Sequence, residues 1–205
     1  FLPPPPAMND EERRDLRQTL RQARRALTAE QQQQAARDLM ARVVKQKFFI
    51  DAKRIAFYHK IDGEIDPAPL LDVAMSEGKT CFLPVISDDH PETISFAPYS
   101  AETELAENEW GIAQPPPPEF VESPTELDLV FVPLVGFDEN CFRLGMGKGF
   151  YDRTFSFKIF NRRSQPLLVG LAHDCQLTEP FPIASWDVRL DAVVTGQKIY
   201  RPESN

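Results

Sequence analysis

Cysteine is scarce and odd in number. Cys81, Cys141 and Cys175 form no CxxC pair, so the sequence offers neither a disulfide framework nor a cysteine-based zinc site. Such usage predicts a reducing compartment, and the chain is expected in the cytoplasm. No apolar run approaches the ~20 residues of a membrane span, and the opening FLPPPPA has neither the basic start nor the apolar core of a signal peptide, so no membrane association is expected. Basic residues are outnumbered, 23 against 31 acidic ones, and a formal charge of −8 argues against a protein that must neutralise a nucleic-acid backbone. Internal repeats are lacking, as are low-complexity tracts beyond the proline runs, and no boundary divides the chain convincingly in two.

What is present suffices for a core. Hydrophobic residues make up 42% of the 205, with 15 Phe among them, and at this length ~70% of the unfolded surface can be buried. Residues 8–205 read as a single domain, monomeric by expectation. Residues 1–7 read as a disordered or expression-derived stretch ahead of Met8. Basic residues crowd one place: Arg13, Arg14, Arg17, Arg21, Arg24 and Arg25 share a segment with Leu16 and Leu20 at helical spacing, which predicts an amphipathic helix over 10–27. Thr28 followed by Gln31 is a capping-box pattern opening a second helix to about Lys47, so the N-terminus should form a helical hairpin.

RIAFYHK (54–60) reads as a strand. After it, Asp66 caps a helix that carries Pro67 in its first turn and stops at Gly78. TCFLPVI (80–86) and ISFAPY (94–99) read as further strands, and residues 100–125, with Trp110, Gly111 and Pro115 to Pro118, as a long ordered loop. DLVFVPLVGFD (128–138) has the continuous apolar character of a strand buried on both faces. A helix should start near Phe150, and 166–173 and 192–196 should be strands. Helices alternating with strands predict an α/β fold, a single layered domain whose largely parallel, mixed central sheet is flanked by helices and binds ligands at the carboxyl ends of its strands.

The stretch FDENCFRLGMGKGFYDR (137–153) carries the chemistry. Gly145, Gly147 and Gly149 alternate between a strand and a helix, where bare backbone can gather N–H groups around a phosphate, and Arg143 and Lys148 add charge. The spacing is neither a Walker loop nor a dinucleotide fingerprint. On physics alone it is an anion or nucleotide loop, or else a tight turn with incidental charges.

RLGMGKGFYDR resembles the signature RLGxGxGYYDR of the 5-formyltetrahydrofolate cyclo-ligase (methenyltetrahydrofolate synthetase) family. The basic N-terminal helix with Arg13 and Arg17, DGEID with Glu64, CFLPVI, WGIAQP, PLVGFD, AHDCQL and WDVRLDAVVT match that family in order across about 190 residues. The resemblance implies an enzyme that uses ATP and Mg²⁺ to cyclise 5-formyltetrahydrofolate to 5,10-methenyltetrahydrofolate. It places ATP on Arg13, Arg17 and the loop Arg143, Leu144, Gly145, Met146, Gly147, Lys148, Gly149, Phe150 and Tyr151, with Lys148 and Arg143 catalytic. Mg²⁺ falls to Asp152 and Asp187, with Asp191 as the alternative ligand. Folate, polyglutamylated or not, falls to His59, Glu64, Trp110 and residues 146 to 150. Met146 stands where the family often has Arg, and Phe150 where it has Tyr, so a charge and a hydroxyl are missing.

Plainer readings stand beside these. Helix arginines are usually a solvated face, a loop aspartate is usually a cap, Trp110 could anchor a core, and the cysteines read as small buried hydrophobes. His59, His90 and His173 lack metal-site spacing, and His173 reads as structural. Two rival functions remain: a folate- or nucleotide-binding regulator without turnover, disfavoured by the set Lys148, Asp152 and Asp187, and another small-molecule ATP-dependent kinase, for which Glu64 and Trp110 would be spare.

Overall fold

The computed structural model describes residues 8–116 and 123–203. The reading of residues 1–7, and of Pro117 and Pro118 in the proline run, lies outside the described residues.

Helix α1 (Asp10–Arg25) opens on a reciprocal cap. The Asn9 side chain accepts from the Glu12 N–H at 2.9 Å, and the Glu12 carboxylate accepts from the Asn9 N–H at 2.8 Å. Acidic residues fill its first turn and Arg24 and Arg25 its last, as the helix dipole favours. Helix α2 (Ala29–Val43) starts with the expected Thr28–Gln31 box. It stops short of Lys47: the backbone extends at Gln46, and a separate turn, α3 (Lys47–Ile50), swings Phe49 into the core. The two N-terminal helices go to different neighbours, α1 to the 3₁₀ turn at Asp174–Gln176 and α2 to α4 (Ala68–Ser76).

Strand β1 (Arg54–Ala56) uses three of the seven residues read as a strand, because the backbone leaves the ladder after the Phe57 N–H reaches the Phe82 carbonyl. Asp66 does cap the following helix, accepting from the Ala68 N–H at 2.9 Å, and Gly78 ends it at φ +76°. β2 (Thr80–Ser87) turns tightly into β3 (His90–Tyr99), longer than the 94–99 expected. The long loop holds a small hairpin, β4 (Ala106–Glu107) with β5 (Ala113–Gln114).

The apolar run 128–138 is not one strand. β6 (Leu129–Val132) lies in the central sheet, whereas β7 (Gly136–Phe137) pairs with β8 (Arg143–Leu144) in a separate ribbon. Between them the ladder gives way. Pro133 has no N–H to offer, and side chains take the next carbonyls: Arg24 and Gln176 donate to Leu134 O, and Gln176 to Val135 O. α5 (Phe150–Thr154) is five residues long. β9 (Leu167–Leu171), β10 (Ala192–Val194) and an unforeseen β11 (Ile199–Tyr200) complete the chain.

The main sheet has the order β11-β10-β9-β6-β1-β2-β3. Its inner pairs are parallel and its two outer pairs, β10/β11 and β2/β3, antiparallel. Alternation divides the core: Ile55, Leu129 and Phe131 face α2 and α4, while Ala56, Val130 and Val132 face Phe96 and Phe155. Phe57 and Phe131 meet at 5.2 Å between ring centroids, and truncating a fully buried Phe of this kind to Ala costs ~3–5 kcal/mol. No helix among the described residues is long and apolar enough to cross a membrane.

Candidate active site

The ribbon β7–β8 launches the glycine loop. Its turn is tied by the Asp138 carboxylate, which accepts from the N–H groups of Asn140 and Phe142. Beyond Leu144 the loop needs glycine where its backbone turns left-handed, at Gly147 (φ +97°) and Gly149 (φ +72°). Arg17 of α1 fastens the loop by donating to the Gly145 carbonyl at 2.8 Å. With five residues, α5 adds little dipole, so the positive potential comes from side chains: Arg13, Arg17, Arg143 and Lys148 all line the same cavity of about 380 Å³. Burial and the neighbouring Arg13 both press on the charge of Arg17, an excess that an anion would relieve.

Arg143 donates to the Pro133 carbonyl at 3.2 Å and lies over the Tyr151 ring at 5.2 Å, with its Nε buried and without a partner among the described residues. Lys148 rests over the indole of Trp110, 4.5 Å from the ring centroid, and that indole meets Phe150 edge-on. Trp110 is 44% exposed, so it is a wall of the cavity rather than a core anchor.

Asp152 and Asp187 line the cavity together. Asp152 Oδ1 accepts from the Val188 N–H at 3.0 Å, and Asp187 Oδ2 from the Ala184 N–H at 2.7 Å, so each has another oxygen to offer. Burial, and then the charge of Asp152, raise the Asp187 carboxyl above its usual range. Like charges in one pocket, each anchored by a backbone bond, fit a hard divalent cation, which typically takes one or two carboxylates plus phosphate and water. Asp191 does not reach this cavity. Its carboxylate accepts from the Leu168 N–H and faces the Lys158 ammonium at 3.4 Å.

Glu64, which lines the same cavity, is buried, and its Oε1 accepts from the Ile61 N–H at 3.0 Å. Burial pushes its carboxyl up to about 7, against a smaller lowering by that backbone bond and by Arg24. His59 lies exposed at the rim. Every residue the sequence singled out for ATP, folate or Mg²⁺ except Asp191 therefore lines one cavity.

The sequence model of the 5-formyltetrahydrofolate cyclo-ligase family matches residues 9–196. The chain belongs to this family. A 5-formyltetrahydrofolate cyclo-ligase of Escherichia coli K12 is 40% identical over 182 residues, covering 88% of this chain and 98% of its own length. That of Haemophilus influenzae is 36% identical over 191 residues, covering 92% and 100%. Among solved structures, the 5,10-methenyltetrahydrofolate synthetase of Aquifex aeolicus superposes with a TM-score of 0.79 at 29% identity, covering 94% of both chains. Cyclo-ligase membership makes the chain an enzyme, a ligase of folate one-carbon metabolism.

Several parts of this cyclo-ligase cavity carried no sequence signal. Tyr58 is buried and donates its hydroxyl to the Ile65 carbonyl at 2.7 Å. Gln114 pins the Trp110 hairpin to β2, its amide accepting from the Ile86 N–H and donating to the Ile86 carbonyl, while Asn108 donates to Gln114 Oε1. Apolar lining comes from Pro84, Ile86, Ile94, Ile112 and the Pro133–Val135 crossing, with Trp186 at the edge. Cys81 and Cys141 are buried as expected, but Cys175 is exposed. His173 is buried, and burial lowers its imidazole to about 4.

Proposed function

We propose that this cavity converts 5-formyltetrahydrofolate to 5,10-methenyltetrahydrofolate with hydrolysis of ATP to ADP and phosphate, in the presence of Mg²⁺. The observation that carries this reading is the convergence, in one cavity, of four cations around a glycine loop, a carboxylate pair, a buried glutamate and the indole of Trp110. Nucleotide goes to the loop side, under Arg13 and Arg17, and the folate ring to the side of Glu64 and Trp110. Asp152 and Asp187 would hold Mg²⁺, which when bound supplies neutralising charge to the phosphate oxygens.

The formyl oxygen attacks the γ-phosphorus and ADP leaves. N10 then adds to the activated formyl carbon, the carbon–oxygen bond to phosphate breaks, and the N10 proton departs as the five-membered ring closes. No protein nucleophile is needed. Arg143 and Lys148 act by position and charge, the main contributions in phosphoryl transfer. Glu64, with its carboxyl near 7, is suited to accept N–H bonds from the folate and to take up the departing proton.

Incubation with 5-formyltetrahydrofolate, ATP and Mg²⁺ should give an ATP-dependent rise in the near-UV absorbance of the methenyl product. Folate binding with no such rise would overturn the proposal.

A further inference from the structure

Glu64 stands at the end of an unusual turn. Asp62 and Gly63 are both left-handed, at φ +52° and +74°, and Asp62 is one of two non-glycine residues with positive φ among those described. Such a backbone persists where surrounding contacts over-determine it, and α1 provides them. Arg24, with no solvent exposure, donates from Nε to the Asp62 carbonyl at 2.7 Å, from Nη2 to Asp62 Oδ2 at 3.0 Å and from Nη1 to the Leu134 carbonyl at 3.1 Å. Arg21 donates to the same carboxylate at 2.7 Å, and Arg25 also bonds it. Gln32 closes the back by donating to the carbonyls of Arg24 and Gly63.

A buried arginine is rare and costly unless its donors are used. Here the guanidinium joins three things: α1, the turn that aims Glu64, and the Leu134 carbonyl at the β6–β7 crossing. The turn is closed by the Glu64 N–H to the Ile61 carbonyl and by the Ile61 N–H to the Glu64 carboxylate, so the path of the turn sets where that carboxylate points. The same helix carries Arg17 to the glycine loop.

We propose that Arg24, locked on Asp62 and on the Leu134 carbonyl, is the positioning residue for Glu64 and so determines how well the folate side of the cavity grips its substrate. This rests on the reading of Glu64 as the folate-side carboxylate. The groups that face Glu64 are Arg24 from α1, Asp62 in its own turn, Tyr58 after β1, Arg143 of β8 and Tyr151 of α5. Arg24 and Asp62 act on it with opposite sign. The Asp62 carboxyl is itself held below its usual range: burial raises it, but the bonds from Arg25, Arg21 and Arg24 outweigh that.

The test measures steady-state kinetics of Arg24→Met, Arg24→Lys, Asp62→Asn and Glu64→Gln, with the first and third also combined with Glu64→Gln. Arg24→Met should raise the KM for 5-formyltetrahydrofolate about ten-fold or more, since small misplacements of a contact group are expensive. KM for ATP should move by less than about two-fold, a split that general loosening does not produce. Arg24→Lys should recover part of the loss. The ascending limb of the pH profile should move up in Arg24→Met and down in Asp62→Asn. In the Glu64→Gln background neither change should raise the folate KM further. Asn tolerates the left-handed backbone, so Asp62→Asn decides the matter should Arg24→Met not fold. An unchanged folate KM in both variants, or a full additional loss in the Glu64→Gln background, would overturn the inference alone. A normal folate KM in Glu64→Gln itself would overturn the reading beneath it.

Discussion

The ammonium of Lys148 lies over the indole face of Trp110, 4.5 Å from the ring centroid, so a cation of the glycine loop and an aromatic of the β4–β5 hairpin bridge the cavity. The contact holds the charge without binding it in an ion pair, and a phosphate can draw it away at small cost. Lys148→Met should lower kcat by about two orders of magnitude or more, with the fold retained. Turnover close to wild type, in protein of unchanged circular dichroism, would remove Lys148 from the chemistry.

Glu64→Gln should weaken 5-formyltetrahydrofolate by about 1.5–3 kcal/mol, the range for a hydrogen bond to a charged group, and leave ATP affinity alone. Calorimetric titration of each ligand checks this. The substitution should also alter stability against pH. Burial raises this carboxyl from 4.5 to about 7, so the folded state keeps a proton that the unfolded state releases. The resulting stabilisation is full below 4.5 and is lost as pH rises through about 7. Across that window the melting temperature of the wild type should fall relative to Glu64→Gln.

Asp187→Asn should shift the Mg²⁺ titration of activity to higher concentration by about ten-fold or more, because an amide carries no charge for a hard cation. Asp191→Asn, whose position lies outside the cavity, should leave that titration in place. A shift for Asp191→Asn and none for Asp187→Asn would reverse the assignment.

Lys158 is a structural cation. It is 3% exposed and donates to the carbonyls of Arg162, Ser164 and Pro166. Lys158→Met should lower unfolding stability by about 3–5 kcal/mol, since it strands buried acceptors and the Asp191 charge. Urea denaturation would show a lower midpoint at unchanged slope. A variant as stable as wild type would mean that those carbonyls find water.

The sequence was most readable where one residue type answers a local demand. Thr28 and Asp66 cap helices, Gly78 ends one, and the alternating glycines of RLGMGKGFYDR lie in a loop between a strand and a helix. It was least readable where a distant partner decides. Nothing local to LVFVPLVGF says that Arg24 and Gln176 will claim the carbonyls of Leu134 and Val135 and split one strand into two. Gln114 beside a proline run gives no sign that its amide will complete the edge of β2. Arg24 looked like any other arginine of a solvated helix face, because burial is a property of what packs on it.

β1 is three residues long beside the eight of β2, although the residues that follow it, Phe57 and Tyr58, are good strand formers. Had they continued the ladder, the sheet would gain several backbone bonds and Tyr58 and His59 would be drawn in between β6 and β2, moving the turn to Glu64 with them. The active cavity is, in this sense, a length of strand left unbuilt. A redesign that straightened the chain there for greater stability would take Tyr58, His59 and Glu64 out of the cavity lining, so at this point robustness and turnover are set against each other in the backbone itself.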